Sequence, residues 1–250
     1  MQNPHLGTIG WSYSFWKGSF YPQKTASKDF LSYYAGRFNT VEVDSTFYRI
    51  PTEQAIKKWE SQVPTGFVFS LKFPSRITHI KMLRDCDREV NLFLERAALL
   101  GSKLGALLLQ FPPNFKADHL PDLAAFLQKL PKANRYVVEV RNEDWLKPDL
   151  YELLRTYNVA LAWVDSPNMP LTLEVTADFL YIRWEGDRKK VNGLLGKIEA
   201  DQTESLLLWA EKLEPYLGRR IQVYGYFGKY YSGDPPNDVN SLLTLLKRPV

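Results

Sequence analysis

With 250 residues, 45% hydrophobic and 14% aromatic, the chain has ample material for a large core, and intrinsic disorder is excluded. Its net charge of +4 permits anionic partners, but no dense Lys/Arg stripe argues for nucleic acid, and the single cysteine, Cys86, excludes an internal disulfide. No apolar run reaches the ~18 residues of a membrane span, and residues 1–5 carry no signal-peptide pattern, so the expectation is a soluble cytoplasmic protein without membrane partners.

Strand-like and helix-like segments alternate along the chain. A first strand is expected over 6–10, followed by an aromatic loop containing Trp11, Tyr13 and Trp16. That loop can stack on a sugar or a base, or pack over the mouth of the fold. A helix over 27–38 aligns Phe30, Leu31, Tyr34 and Phe38; a strand follows over 40–46. The helix over 52–62 follows Pro51 and puts Ala55, Ile56 and Trp59 on one stripe, before a strand over 67–72. The helix over 85–100 repeats Val90, Phe93, Leu94, Ala97 and Leu100 and takes in Cys86, which reads as structural.

A strand over 104–111, a helix over 118–130 with Pro121 in its first turn, and a strand over 136–141 come next. A helix over 149–157 and a strand over 159–165 lead to an irregular link, 166–177, which holds Pro167 and Pro170 and no helical stripe. The chain closes with a strand over 178–184, a helix over 202–217, a strand over 221–227 and a helix over 239–246. Eight strands with intervening helices predict an α/β fold, a single TIM-type (β/α)8 barrel, with the irregular connection between its sixth and seventh strands. No linker-like composition divides the chain, so residues 1–250 are expected to form one domain.

Charges interrupt strands that should be apolar. Glu42 and Asp44 lie in the second strand, Lys72 ends the third, Glu139 and Arg141 lie in the fifth, and Arg183 follows Ile182 in the seventh. Burying an unpaired charge costs several kcal/mol, so such charges must compensate one another. Alternation across a strand puts Glu42 with Asp44, Leu108 with Gln110, Glu139 with Arg141, Tyr181 with Arg183, and Tyr224 with Tyr226. The helix-facing side of a barrel strand wants Val, Ile and Leu, so the polar set is expected to point inward near the catalytic rim. Asp165 shares parity with Leu161 and Trp163 and is assigned to the loop edge. The structural alternative is an ion-pair network that plugs the barrel.

Several segments together resemble the YecE-like family, known as domain of unknown function 72. They are Gly7-Thr8-Ile9-Gly10-Trp11-Ser12-Tyr13, Val41-Glu42-Val43-Asp44-Ser45-Thr46-Phe47-Tyr48-Arg49, and Phe69-Ser70-Leu71-Lys72-Phe73-Pro74 with Ile77-Thr78-His79. Leu108-Leu109-Gln110-Phe111-Pro112-Pro113, Val138-Glu139-Val140-Arg141 with Trp145, and Ala177 to Trp184 complete the match, which runs from Gly7 to Phe227. The resemblance implies a TIM-type barrel but no established reaction. Three departures stand out: the family usually has Asn where Asp44 stands, often has His where Asn142 stands, and usually ends its last strand in an Asn-Asn-Asp-type segment. Here Gly228-Lys229-Tyr230-Tyr231 follows, and Asp234 arrives late.

The leading expectation is an enzyme acting on a small polar or anionic molecule that carries a phosphate, carboxylate or sugar. Lys72, Glu139, Glu42 and Asp44 are the catalytic candidates. Arg141, Arg183, Gln110, Asp165, Trp11, Tyr13, Tyr48, His79, Trp145 and Tyr226 are the substrate-binding candidates. Lysine can act as base, Schiff-base former or phosphate contact, and Glu139 beside Arg141 suits a base near an anion-binding guanidinium. Hydrolase, lyase and isomerase chemistry all remain open. No cofactor is expected, since phosphate-loop and dinucleotide fingerprints are missing. The chain's only histidines, His5, His79 and His119, do not supply a multi-histidine zinc cluster; Mg²⁺ or Mn²⁺ at Glu42, Asp44, Glu139 and Asp165 stays open. A nucleic-acid-binding or -processing barrel is the second reading, with Arg188-Lys189-Lys190 near the mouth. A non-catalytic ligand-binding barrel is the third, and oligomeric state is not readable.

Overall fold

A computed structural model describes residues 3–247; Met1 and Gln2 of the N-terminal reading, and 248–250 of the expected domain, lie outside it. The strands are β1 (His5–Thr8), β2 (Thr40–Val43), β3 (Val68–Lys72), β4 (Leu104–Gln110), β5 (Arg135–Glu139), β6 (Ala160–Leu161), β7 (Trp163–Asp165), β8 (Phe179–Gly186) and β9 (Gln222–Tyr230). The helices are α1 (Phe30–Ala35), α2 (Glu53–Ser61), α3 (Asp87–Ala98), α4 (Leu120–Lys129), α5 (Pro148–Thr156), α6 (Thr203–Gly218) and α7 (Pro235–Leu246). All strand pairs are parallel, in two sheets ordered β1-β9-β8-β7 and β2-β3-β4-β5-β6. The fold is α/β, as expected, and residues 166–177 carry no helix.

A backbone contact bridges the sheets on one side, and the chain itself passes from one sheet to the other on the far side. The Gly10 N–H donates to the Glu42 carbonyl at 2.8 Å, extending a bridge between Ile9 and Glu42. On the far side only Ala162 separates β6 from β7, and its N–H donates to the Val138 carbonyl at 2.9 Å. The expected strand 159–165 is thus interrupted at Ala162. β1 and β2 approach so closely that a Cβ on Gly7 would lie 2.1 Å from the Thr40 carbonyl oxygen. Gly7→Ala is therefore expected to lower stability by about 3 kcal/mol through overpacking against backbone, read as a lower urea midpoint at unchanged m-value.

Two apolar clusters follow from side-chain alternation. The larger joins one face of the strands to the helices and includes Leu71, Leu107, Leu109, Val138, Trp163 and Val223. The smaller uses the opposite parity of both sheets: Val68, Ala106, Leu108, Val137, Ala160, Ala162, Phe179, Tyr181, Tyr224 and Tyr226. Continuing that second parity toward the strand C-termini gives Lys72, Gln110, Glu139, Arg183 and Glu185. The same faces are therefore apolar at their N-terminal ends and charged at their C-terminal ends.

Several boundaries differ from the sequence reading. The helix expected over 27–38 is regular only over α1, after a 3-10 turn at Ser27–Asp29, and Gly36 ends it. The strand expected to reach 46 stops at Val43, because Asp44–Phe47 forms a 3-10 turn. The Thr46 hydroxyl holds that turn, reaching the Val43 and Lys72 carbonyls at 2.8 and 2.7 Å and accepting from the Lys72 N–H at 3.0 Å. Asp44 consequently leaves the strand alternation that paired it with Glu42. α7 begins at Pro235, earlier than expected, capped by the Asp234 side chain. Its prolines occupy first-turn positions, where no N–H is needed.

Candidate functional site

Three carboxylates and two guanidinium groups form a cluster where the two sheets' polar faces meet, with Glu42, Glu139 and Arg183 buried and Glu185 and Arg141 half-buried. Arg183 donates to both oxygens of Glu42, Nη2 to Oε1 at 2.8 Å and Nε to Oε2 at 2.9 Å. Its Nη1 donates to Glu139 Oε2 at 2.6 Å and also to Glu185. Tyr181 adds a hydroxyl to Glu42 Oε2 at 2.7 Å. Arg141 donates through Nε to Glu139 Oε1 at 2.9 Å and through Nη2 to both Glu185 oxygens at 2.9 and 3.1 Å. Gln110 Nε2 gives Glu139 Oε1 a further bond at 2.8 Å. Each carboxylate thus holds several charge-assisted bonds, the strong kind. Burial opposes ionisation of Glu139, but Arg183, Arg141 and Lys72 outweigh it and hold its carboxyl well below the usual range. Burial likewise opposes charge on Arg183, yet Glu139 and Glu42 raise its pKa well above the ordinary value.

Lys72 stands apart from this pairing. Its Nζ donates to Gln110 Oε1 at 2.7 Å and lies 4.1 Å from the centroid of the Phe47 ring. Among the described residues no carboxylate oxygen lies within ion-pair distance of it. Burial first, then Arg183, pushes its pKa down to about 8, against a weaker upward pull from Glu139 and Glu42. Lys72 is therefore partly neutral just above physiological pH.

Above the cluster opens a cavity of about 290 Å³ lined by residues that follow or end the strands. Its cations are Lys72, Arg141, Arg183, Arg188 and Lys229; its carboxylates are Asp44 and Glu185. Tyr13, Phe47, Tyr48, His79, Gln110 and Tyr230 complete most of the wall. Arg188 and Lys229 flank the Tyr230 ring at 4.9 and 5.1 Å and have no carboxylate partner among the described residues. Tyr13 donates to the Ile9 carbonyl at 2.9 Å, and burial, with Asp44 and Glu42 nearby, raises its pKa. His79 shares a hydrogen bond with Thr78 through Nδ1 at 2.8 Å; burial, then Lys72, lowers its pKa to about 4, so it is neutral at pH 7.

The candidates named from sequence fall into three groups. Lys72, Asp44, Arg141, Arg183, Gln110, Tyr13, Tyr48 and His79 line the cavity. Glu42 and Glu139 lie beneath it, engaged by the arginines. The remaining four are elsewhere. Asp165 accepts from Trp209 Nε1 of α6 at 2.7 Å, and Trp145 Nε1 donates to the Phe115 carbonyl at 2.6 Å among buried aromatics. Trp11 packs edge-on to Trp59 and Phe69 in the larger apolar cluster. The Tyr226 hydroxyl is buried between Thr40 Oγ1 and Ser70 Oγ, both at 2.8 Å.

Sequence reasoning missed Glu185, Phe47, Lys229 and Tyr230, and placed Arg188 near the mouth only in the nucleic-acid reading. Extending the seventh expected strand by one residue would have put Glu185 on Arg183's face. The last two strands run longer than expected, with a register irregularity between Trp184 and Gly186. Gly186 adopts φ 70°, and a Cβ there would sit 2.0 Å from the Tyr230 carbonyl. Bulges of this kind re-aim side chains at strand ends.

Among the described residues no group of three or more His, Cys, Asp or Glu is arranged to hold a metal ion, and no helix is long and apolar enough to cross a membrane. Cys86 is buried, and burial raises its thiol pKa to about 11.

Residues 5–250 match the family described as "Protein of unknown function DUF72". The chain is 40% identical over 112 residues to UPF0759 protein YecE of Escherichia coli (strain K12), covering 45% of this chain and 41% of that protein. It is 30% identical over 175 residues to UPF0759 protein YunF of Bacillus subtilis (strain 168), covering 65% and 59%. The aligned stretch therefore spans less than two thirds of either relative. The crystal structure of a DUF72 family protein from Thermotoga maritima MSB8 superposes with a TM-score of 0.79 at 26% identity, covering 97% of both chains. That of a DUF72 family protein from Enterococcus faecalis V583 superposes at 0.77 and 21% identity, a likeness of fold alone. With a match across nearly its whole length, this chain belongs to the DUF72 family.

Proposed function

We propose that the two sheets form one closed barrel in a single domain, and that the cavity at the strand C-termini is the active site of an enzyme for a small anionic substrate. The bridge at Ile9 and the Ala162 bond to β5 support closure on both sides. The observation that carries the functional reading is the contrast between Lys72 and its surroundings. Glu42, Glu139 and Glu185 are held by Arg141 and Arg183, whereas Lys72 is buried against Phe47 with only a neutral amide as partner. Burying an amine without a counterion costs stability, and such costs concentrate at functional sites.

The division of labour follows from the contacts. The arginine–glutamate cluster positions the floor. Lys72 and Asp44 are the reacting groups, since both line the cavity and Asp44 has no side-chain hydrogen bond among the described residues. Arg188 and Lys229 take the anionic group, and Tyr230, Phe47 and Tyr48 enclose the rest. A cavity of about 290 Å³ suits a metabolite better than a nucleic-acid strand.

A thermal-shift screen of sugar phosphates, carboxylates and neutral sugars tests this reading. Anions are expected to raise the unfolding midpoint, and neutral sugars to leave it unchanged. Arg188→Gln and Lys229→Gln are each expected to weaken anion binding about tenfold, the size of one charge-assisted hydrogen bond, by calorimetric titration. Anion shifts that survive in the double variant would remove the cavity from consideration.

A further inference from the structure

We propose that the substrate is a small aldehyde or ketone bearing a phosphate or carboxylate, and that Lys72 captures its carbonyl carbon as an imine. This rests on the anion-site reading above and narrows it to one substrate class.

Three observations carry it. Glu42, Glu139 and Glu185 each bond at least one guanidinium, and a carboxylate so held is a poor base. General-base chemistry from the floor is therefore blocked; Asp44 and the neutral His79 remain on the wall as proton acceptors, and the nucleophilic amine is that of Lys72, buried where Lys229 is only half-buried. That amine meets an amide oxygen, Gln110 Oε1 at 2.7 Å, rather than a carboxylate. A carboxylate would hold the ammonium form; an amide oxygen accepts one N–H and leaves the nitrogen lone pair free once a proton departs. The third is placement. Lys72 ends β3 inside the cavity, while Arg188 and Lys229 line it after β8 and in β9, so one small molecule meets an amine and two unpaired cations together. Burial's depression of Lys72 to about 8 supplies neutral amine at modest pH.

The step balances without an outside reactant. The Nζ lone pair adds to the carbonyl carbon, and the nitrogen gives up one proton while the carbonyl oxygen takes up one, giving the carbinolamine. Loss of that hydroxyl with a proton, as water, leaves the C=N bond. Borohydride, added as the reporter, delivers hydride to the imine carbon while water protonates nitrogen, fixing a secondary amine.

The test incubates the whole protein with dihydroxyacetone phosphate or pyruvate, reduces with borohydride, and maps the adduct by peptide mass spectrometry; binding of the same two compounds is measured in parallel by thermal shift. The expected result is one adduct on Lys72, with at least a tenfold excess over any other lysine, suppressed by inorganic phosphate when the phosphate-bearing probe is used. Lys72→Arg keeps the positive charge and is expected to retain binding while losing the adduct. Binding of either anion with no adduct, or with adducts on Lys229 or surface lysines only, overturns the imine and leaves the anion site standing. No binding and no adduct with both probes overturns the imine and counts against the anion site as well. The two probes distinguish a phosphate-reading site from a carboxylate-reading one.

Discussion

Arg183→Met is expected to lower the thermal unfolding midpoint by about 10 °C. The side chain is 3% exposed and joins Glu42, which is fully buried, to Glu139 and Glu185. Removing one partner of a buried pair costs about 3–5 kcal/mol, because the other charge is left behind uncompensated; here three carboxylates lose their shared cation. For a chain of this size each kcal/mol moves the midpoint by about 2–4 °C. The pH dependence identifies the cause. In the wild type, Glu139 titrates below its unfolded value, so its stabilisation is present at neutral pH and is lost as pH falls through the folded pKa. In the variant the buried carboxylates take up protons more readily, so the gap between variant and wild type should narrow from pH 7 toward pH 4. A constant gap would point to lost packing instead.

Lys72→Met should do the opposite to stability while abolishing function. The lysine's folded pKa lies near 8 against an ordinary 10.5, with Arg183 adding to the burial effect and Glu139 and Glu42 opposing it. A depressed lysine destabilises the fold below its folded pKa, by on the order of 3 kcal/mol for a shift of this size. The penalty fades as pH rises from 8 to 10.5, because the unfolded chain then binds the extra proton. Methionine removes the charge at similar volume, so the variant should be more stable at pH 7, with the advantage shrinking above pH 8. Any turnover identified in the cavity should fall by 10²-fold or more. A gain in stability coupled to loss of activity is the signature of a residue kept for chemistry. Loss of both would mark Lys72 as structural.

Much of the architecture was legible because buried parallel strands read as short apolar runs, and charges inside them stand out. Alternation alone put Lys72, Gln110, Glu139 and Arg183 on shared faces, and hydrogen bonds join them there. What alternation cannot reveal is partnership. That Glu42 faces a fork of two guanidinium nitrogens, and that Asp165 turns to Trp209, depends on residues more than 40 positions away. Boundaries failed where local chemistry overrode pattern. Thr46 bends the chain after Val43, Asp234 starts α7 ahead of its prolines, and β8 and β9, with a register irregularity at Gly186, run past their expected ends.

The arginine at the centre of the floor also has a consequence for how the molecule assembles. Arg183 and Glu42 lie 141 residues apart, and Arg183 and Glu139 lie 44 apart. Closing so long a loop costs entropy, and the charged junction is expected to form after the folding barrier is crossed. Its contribution then resides in slow unfolding rather than in fast refolding. In denaturant-jump experiments the Arg183→Met destabilisation should appear mainly in the unfolding arm, which makes the junction a kinetic clasp for the first and last thirds of the polypeptide.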